Sequence, residues 1–388
     1  METDLLVVGG GIAGVTAAET FRKVDHSSKV LIVSEEDEPL YNRILLPYFI
    51  KGDKTQQQLY LRTKRDYESR NLGVVWGQRV IAGGKNEGKL SDGSTVSFQR
   101  LILAYSGDLR KLSGQGKVHY LRTIADAKRI KDLIVSSKKP VVVGDSFIAL
   151  EFLGVLIKLG IPTTAIIAGE HFFSGKISPK SAAVLEHYLE DHKIAIIRNT
   201  KVSQSLGSPE TFKSLQTEDG KQIEGDFCGA GIGLVFDLNL ASQFGVQTGQ
   251  GVITDGFLKA AANVWAAGDI AEFEDQMLNA RHMLGNWVHA MESGRIAGAN
   301  AAKNQDEPTP YRTISAYSTQ TLGIPVAMAG DTTPNQDNKI MVEQTREGIA
   351  EIFVRERRTV GAVIINLPQL IGKVLLAIRA RQPWGQSS

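Results

Sequence analysis

The chain has 388 residues, which is enough for two or three domains at about 100–200 residues each. Its net charge of +2 gives no electrostatic reason to expect nucleic acid as a partner. The single cysteine, Cys228, excludes an intramolecular disulfide, a CxxC redox pair and a cysteine-rich metal site. The sequence has no basic, apolar leader and no apolar run of about 18 residues, so we expect a cytoplasmic protein without a membrane span.

The first predicted element is a βαβ unit about 30 residues long. An apolar strand at Asp4–Val8 precedes Gly9-Gly-Gly-Ile-Ala-Gly14, and an alanine-rich helix pattern extends to about Val24. A second strand, Lys29–Val33, follows. Continuous apolar strands of this kind indicate a sheet that is buried on both faces.

The glycine motif of this unit predicts a dinucleotide site. Gly9 permits a tight turn, Gly11 lets the backbone approach a pyrophosphate, and Gly14 lets helix and strand pack closely. The helix N-terminus offers N–H groups to the same pyrophosphate. An acid at the end of the second strand should bind ribose hydroxyls, and Glu35 stands there, with Glu36 as the alternative.

The middle of the chain predicts a second βαβ unit inserted into the first domain. Short strands and turns fill the region from Tyr41 to Gly116, and a helix covers about Ile124–Ser136. Pro140–Val143 then forms a strand before Gly144-Asp-Ser-Phe-Ile-Ala149, which begins a helix to about Leu159. The later elements of this domain are a strand at Thr163–Ile167, a helix at Pro179–Asp191 and strands from Ala195 to Gly231.

The apolar segment Asn263–Asp269 indicates a return to the first domain. We expect a strand that ends in Gly268-Asp269, followed by small residues that begin a helix. Asp269 at this exit could accept a hydrogen bond from a polyol hydroxyl, and an ordinary Asp N-cap is the alternative. A helix from about Leu284 to Ala302, a linker at Lys303–Pro310 and a third domain complete the chain. The third domain has strands near Val326–Ala329, Lys339–Gln344, Ile349–Arg355 and Thr359–Ile365, and a helix near Gln369–Arg381.

Taken together, the Gly9–Gly14 motif, the Ala-Ala-Gly-Asp269 box and the inserted βαβ unit resemble the FAD-dependent pyridine nucleotide-disulfide oxidoreductase superfamily. Tyr41-Asn-Arg43 is similar to a segment of its rubredoxin/ferredoxin reductase and NADH-nitrite reductase flavoprotein branch. The resemblance implies an α/β fold with two Rossmann-like dinucleotide-binding domains and a C-terminal α+β interface domain. The implied domains are an FAD-binding domain of residues 1–115 and 250–308, an NAD(P)H-binding domain of residues 116–249, and a C-terminal interface or dimerisation domain of residues 309–388.

The resemblance also implies the residues that hold FAD. It places Asp269 on the flavin ribityl chain, Arg43 along the phosphates, and Trp287 on the helix that faces the flavin pyrimidine. Tyr105 could shield the flavin or the nicotinamide, whereas we expect His289 to be a packed helix residue. The full set of FAD-binding candidates is Gly9, Gly11, Ile12, Ala13, Gly14, Glu35, Glu36, Asn42, Arg43, Arg79, Val80, Ala104, Tyr105, Gly268, Asp269 and Trp287.

The second dinucleotide motif departs from the family pattern. Ser146 and Ala149 replace two glycines, and Ile167-Ala168-Gly169 stands where a ribose-binding acid is usual, with Glu170 just beyond. The sequence therefore leaves NADH or NADPH open. The nicotinamide-site candidates are Gly144, Asp145, Ser146, Phe147 and Ile148, and Glu151 is the catalytic candidate because it matches the family's glutamate near the nicotinamide.

The resemblance implies an NAD(P)H-dependent FAD reductase that supplies electrons to a small iron carrier such as rubredoxin or ferredoxin. A flavin–disulfide relay is excluded because Cys228 is the only cysteine, and we expect Cys228 to be a buried small hydrophobe. An electron-input module of a larger reductase and a non-catalytic flavin- or dinucleotide-binding protein remain as alternatives. A homodimer stays open, and the arginines at 355–358 and 379–381 are expected to be solvated surface rather than a docking site.

Overall fold

The computed structural model describes residues 1–275, 280–303, 307–333 and 337–385, which form two compact units. The first unit contains Met1–Asn42, Tyr60–Asp108 and Leu234–Thr313. The second contains Arg43–Leu59, Leu109–Gly233 and Ile314–Ser388. The predicted division into three domains stays a prediction.

The regular elements of the described residues are named in chain order. The helices α1 to α9 are Ile12–Val24, Leu46–Lys51, Lys64–Ser69, Ile124–Ile134, Phe147–Leu159, Pro179–Asp191, Leu238–Gln243, Trp287–Ala302 and Pro368–Ala380. The strands β1 to β25 are Glu2–Val8, Val30–Ser34, Gly73–Trp76, Val80–Gly83, Glu87–Leu90, Thr95–Leu103, Asp108–Leu109, Pro140–Val143, Thr163–Ile166, Ile194–Ile197, Val202–Gly207, Phe212–Thr217, Gln222–Glu224, Phe227–Ala230, Leu234–Val235, Val252–Ile253, Lys259–Ala261, Val264–Ala266, Ala271–Asp275, Ala280–Met283, Ala316–Thr319, Val326–Gly330, Lys339–Gln344, Ile349–Arg355 and Arg358–Ile365.

The first unit is built on a largely parallel sheet with strand order β17-β18-β6-β1-β2-β3. β1 pairs in parallel with both β2 and β6, and its apolar residues are fully buried, as the unbroken apolar run predicts. α1 and α8 lie against each other because two glycines of α8 remove the side chains between them. A Cβ added at Gly294 or Gly298 would lie 2.2 Å from the carbonyl oxygen of Ala13 or Ala17. The predicted opening βαβ unit is confirmed.

The second unit contains a parallel sheet with strand order β10-β9-β8-β14. The predicted strand Pro140–Val143, the helix end at Leu159 and the helix Pro179–Asp191 are confirmed. Two serines explain why α5 and α6 begin where they do. The hydroxyls of Ser146 and Ser178 accept backbone N–H groups in the first turns of these helices, which satisfies donors that have no partner inside the helix.

The C-terminal part of the second unit is an antiparallel sheet with strand order β21-β22-β25-β24-β23, and α9 packs against β25 and β22. The predicted strands and helix of this region are confirmed to within one residue. Glu351 of β24 is buried and accepts hydrogen bonds from Ser178 Oγ at 2.6 Å and Ser181 Oγ at 2.8 Å. These bonds join the antiparallel sheet to the start of α6.

Two local predictions were wrong. The region from Tyr41 to Gly116 contains the short helices α2 and α3 as well as strands. Pro47 in the first turn favours α2, and a capping box of Thr63 and Asp66 begins α3. No helix starts directly after Asp269. A 3-10 turn at Gly268–Ile270 leads instead into β19, which pairs with β20, and the next helix among the described residues starts at Trp287.

Residues 304–306 of the predicted linker at 303–310 lie outside the described residues. None of the helices in the described ranges is long and apolar enough to cross a membrane.

Candidate functional site

The first glycine turn has the geometry that a dinucleotide requires. Gly9 has φ +120°, and a Cβ there would lie 2.4 Å from the carbonyl oxygen of Ala104. A Cβ on Gly14 would lie 1.9 Å from the Gly9 carbonyl oxygen, whereas one on Gly11 would meet nothing within 4 Å. Gly9 and Gly14 are therefore needed for packing, and Gly11 leaves open space beside the N-terminus of α1, where a pyrophosphate would approach.

The predicted ribose acids lie at the end of β2. The exposed Glu35 forms an ion pair with Arg79 at 3.3 Å, and Arg79 also contacts Asp108 at 3.3 Å. Glu36 accepts a hydrogen bond from the Tyr41 hydroxyl at 2.6 Å. Glu35 and Arg79, which were predicted separately, are thus brought together, while Glu36 is engaged with Tyr41.

The late aspartate box lies against the start of α1. Gly268 has φ +73°, and a Cβ there would lie 2.9 Å from the Cβ of Ala13. One carboxylate oxygen of Asp269, Oδ2, accepts a hydrogen bond from Ser106 Oγ at 2.7 Å. Fold and packing therefore place Gly268 beside a helix that begins more than 250 residues earlier in the chain. Ser106 was not among the residues that the sequence predicted for the site, and this bond was missed.

A buried amide donor lies where α8 begins. Asn286 is the N-cap of α8, and its Oδ1 accepts the His289 N–H at 2.9 Å. Its Nδ2 is buried and has no hydrogen-bond partner among the described residues. Next to it, a Cβ on Gly285 would lie 4.0 Å from Asp269 Oδ1. An unsatisfied buried donor at the start of α8, in the unit that also holds Gly11 and Asp269, suits a cofactor oxygen, so the residues of this unit fit FAD.

The other predicted FAD candidates of the first unit differ in their exposure. Ala104 and Val80 are buried, and Ile12 and Trp287 are half-buried. The Tyr105 hydroxyl donates to the carbonyl oxygen of Asp237 at 2.7 Å, and its ring packs on the apolar cluster around β6. A role for Tyr105 in shielding a cofactor stays a prediction.

Arg43 and Asn42 fall on the two sides of a unit boundary. Arg43 lies in a 3-10 turn of the second unit, and its Nη1 donates to the carbonyl oxygen of Arg122 at 3.0 Å. Asn42 is the last residue of a segment of the first unit. The predicted place of Arg43 along the FAD phosphates and the predicted cofactor contact of Asn42 stay predictions.

In the second glycine turn, which begins at Gly144, a serine side chain bonds to the backbone. Gly144 has φ +115°, and a Cβ there would lie 2.3 Å from the Gly231 carbonyl oxygen. Ser146 Oγ donates to that same carbonyl oxygen at 2.8 Å and accepts the Ala149 N–H at 3.3 Å. Ser146 therefore uses its hydroxyl inside the protein, and it occupies an N–H that a glycine would leave to a phosphate.

Aromatic rings lie beside this turn. The ring of Phe147, the first residue of α5, lies 5.0 Å from that of Phe173. It also stacks on Tyr317, with centroids 5.7 Å apart and planes at 11°. Ile148 next to it is exposed, and Asp145 is half-buried.

Glu151 is half-buried one turn further along α5, and burial raises its pKa to about 8. It forms no hydrogen bond or ion pair with the residues that the structure describes, so no partner offsets the cost of burying its charge, and burial favours the protonated carboxyl. A carboxylic acid whose pKa is raised by burial is a functional candidate, and its place near a nicotinamide stays a prediction. The strand end that should carry a ribose acid instead has a fully buried Ile167 and an exposed Ala168.

Two predictions about buried side chains are confirmed. Cys228 lies in β14 with no exposed surface, and burial raises its pKa, so it is an unreactive core residue. His289 is also buried, with 1% of its surface exposed. No cluster of three or more possible metal ligands occurs in the part of the chain that the structure describes.

Two βαβ units, each with a glycine turn before a helix, and a polar box at a later strand end define an oxidoreductase of the two-dinucleotide-fold class. The chain belongs to the pyridine nucleotide-disulphide oxidoreductase family, whose model matches residues 3–294. Membership implies FAD and a nicotinamide dinucleotide as the redox groups.

Individual relatives agree with this assignment. A rubredoxin-NAD(+) reductase of Pseudomonas putida is 24% identical over 379 residues, which cover 95% of this chain and 97% of the relative. A putidaredoxin reductase of the same species is 29% identical over 323 residues, 79% of this chain and 76% of the relative.

Solved structures show the same fold. The covalent putidaredoxin reductase–putidaredoxin complex matches with a TM-score of 0.90 at 24% identity, over 98% of this chain and 94% of the other. The NADH:rubredoxin oxidoreductase of Clostridium acetobutylicum matches with a TM-score of 0.80 at 20% identity, over 100% of this chain and 98% of the other.

Proposed function

We propose that this chain is an FAD-dependent NAD(P)H reductase that passes electrons to a small iron-containing carrier such as rubredoxin or ferredoxin. The observation that carries the proposal is the meeting of Gly268-Asp269 with the start of α1, beside the open Gly11 turn. The relatives named for rubredoxin and putidaredoxin support the class of acceptor. The overall reaction takes two electrons from one NAD(P)H, delivers one to each of two carriers and releases one proton.

The residues of the chain bind and position rather than react. Bound FAD would supply the exchange between two-electron and one-electron chemistry. The Gly11 backbone and the N-terminus of α1 would hold its pyrophosphate, Asp269 would accept a ribityl hydroxyl, and Asn286 Nδ2 would donate to a cofactor oxygen. The sole cysteine is buried in β14, so no protein disulfide takes part.

For the nicotinamide we propose NADH, following the name of the rubredoxin-NAD(+) reductase relative. Ile167 and Ala168 offer neither the carboxylate that binds a 2′-hydroxyl nor the arginine that binds a 2′-phosphate, so we expect weak discrimination against NADPH. Glu151, neutral below a pH of about 8, would face the nicotinamide as a hydrogen-bond donor without a repelling charge. We also propose a cytoplasmic location.

The experiment that tests the function mixes the purified holoprotein with NADH or NADPH and follows reduction of rubredoxin and of a [2Fe–2S] ferredoxin. We expect turnover with at least one carrier, and a rate that depends on carrier concentration. Flavin reduction without electron transfer to either carrier would contradict the proposed acceptor class.

One observation favours a second candidate, a flavin-binding protein with a weakened nicotinamide site. Ser146 turns its hydroxyl inward and caps α5 itself, and the ribose acid is absent. A nicotinamide titration separates the two candidates. Failure of millimolar NADH and NADPH to bind, with FAD still present, would favour the non-catalytic protein.

A further inference from the structure

Helix α8 carries two buried polar side chains, one turn apart, that bind both backbone groups of Gly268. Ser293 Oγ accepts the Gly268 N–H at 2.8 Å. His289 Nε2 lies 3.1 Å from the Gly268 carbonyl oxygen. Both side chains are buried, with 0% and 1% of their surfaces exposed, so neither bond competes with bulk water.

The hydrogen-bond partners of His289 determine which nitrogen of its imidazole ring carries the proton. A carbonyl oxygen can only accept, so Nε2 must carry the proton that it donates to Gly268. Nδ1 lies 2.6 Å from the Tyr311 hydroxyl and therefore accepts a hydrogen bond from it. Burial lowers the pKa of His289 to about 4, which keeps this neutral tautomer at ordinary pH.

Aromatic packing holds the ring in place. Phe273 stacks on His289 with ring centroids 5.3 Å apart and meets the edge of Tyr311 at 5.0 Å. Phe273 and Tyr311 are both buried. A chain of contacts thus runs from Tyr311 through His289 to the Gly268 carbonyl oxygen.

The group that this chain holds is a turn in an unusual conformation. Gly268 has φ +73°, in the left-handed region, and it directly precedes Asp269. The bond to the Gly268 N–H holds the peptide group before this residue, and the bond to its carbonyl oxygen holds the peptide group after it. Together they restrict rotation about φ and ψ of Gly268. The orientation of Asp269 follows from those peptide groups, and Ser106 Oγ holds one of its carboxylate oxygens at 2.7 Å.

We propose that His289, Ser293 and Tyr311 are positioning residues that hold the Gly268–Asp269 turn in the geometry that binds the FAD ribityl chain. The inference rests on the proposed function, because it takes Asp269 as a cofactor contact. None of the three residues needs to touch the cofactor. Each acts through Gly268. Substituting these residues should therefore weaken FAD binding, and not only lower the stability of the fold.

The test is a titration of FAD into the apoprotein of four variants. His289→Leu removes the donor to Gly268, and His289→Gln restores an N–H near the Nε2 position. Tyr311→Phe removes one hydroxyl and keeps the ring. Asn300→Ala is the matched control, because Asn300 is also buried on α8 and bonds to Phe257 and Thr309, away from Gly268.

We expect the FAD dissociation constant to rise about tenfold in His289→Leu, which corresponds to one lost buried hydrogen bond. Tyr311→Phe should raise it by a smaller factor, and His289→Gln should stay within about threefold of the wild type. Asn300→Ala should lower the thermal stability of the apoprotein without changing FAD affinity. The visible flavin spectrum should change in His289→Leu and return in His289→Gln.

The titration separates failure of the positioning role from failure of the proposed function. If the wild-type apoprotein binds FAD and His289→Leu weakens binding no more than Asn300→Ala does, the positioning role is refuted while the proposed function stands. If the wild-type apoprotein binds no FAD, the proposed function itself fails, and the role inferred for these residues fails with it.

Discussion

Gly11 and Gly14 of the opening motif should respond differently to substitution by alanine. A Cβ at Gly11 meets nothing within 4 Å, and the residue already has φ −76°, which alanine adopts without strain. Gly11→Ala should therefore fold with a stability within about 0.5 kcal/mol of the wild type. Its methyl group would occupy the space beside the α1 N-terminus, so FAD binding should weaken.

The effect of Gly14→Ala should be on folding. Its Cβ would lie 1.9 Å from the Gly9 carbonyl oxygen and 3.1 Å from Val7 Cγ1. Overpacking against backbone costs about 3 kcal/mol at the upper end of the usual range, and the better helix propensity of alanine returns about 1 kcal/mol. We expect a net loss of about 2 kcal/mol in the free energy of unfolding.

Both variants are measured as apoproteins, by chemical denaturation and by FAD titration. Loss of one hydrogen bond to a charged phosphate is worth about 1.5–3 kcal/mol, so Gly11→Ala should raise the FAD dissociation constant about 10- to 100-fold. Gly372→Ala in α9 is the control, because it also has open space and should leave FAD affinity unchanged. Wild-type FAD affinity in Gly11→Ala would refute the assignment of the pyrophosphate to this turn.

Three further predictions concern other residues of the candidate sites. Ser146→Gly should bind the nicotinamide about threefold or more tightly and lose about 1 kcal/mol of stability, because the Gly231 carbonyl oxygen loses its donor; unchanged or weaker binding in a titration would contradict this. Asp269→Ala should weaken FAD binding at least about tenfold and Ser106→Ala by less, and equal effects in FAD titrations would count against Asp269 as the direct contact. Burial raises the pKa of Glu151 from 4.5 to about 8. Between these pH values the folded state therefore keeps a proton that the unfolded state has lost. As pH rises through this range, the free energy of unfolding falls by at most about 1.4 kcal/mol per pH unit. Glu151→Gln should therefore be more stable than the wild type at pH 7 and similar to it at pH 4 in denaturant titrations, and parallel pH profiles would contradict the pKa shift.

Elements with strong local signals could be predicted from the sequence. The helices Phe147–Leu159 and Pro179–Asp191 begin at serine caps, and the second also has a proline at its first position, so local chemistry determines where they start. The opening glycine motif combines a buried strand, tight-turn glycines and a small-residue helix within a single stretch of chain. Such signals do not depend on the rest of the fold.

The features that were missed depend on contacts between distant parts of the chain. The Ser106–Asp269 bond joins residues 163 positions apart, and no local pattern indicates it. Strand β19 was taken for a helix start because small residues follow Asp269. The segment instead pairs with β20, and its Phe273 is buried in the core. His289 was correctly expected to be packed, but its bond to the Gly268 carbonyl oxygen follows only from the way α8 lies against the turn.

The most direct test of the account is anaerobic addition of NADH, and separately of NADPH, to the purified protein while its visible absorption is recorded. We predict a yellow protein that carries FAD, whose flavin band is bleached by at least one of the two nucleotides without any change in thiol content. A folded, colourless protein that takes up no added FAD, or bound FAD that neither nucleotide reduces, would contradict the account.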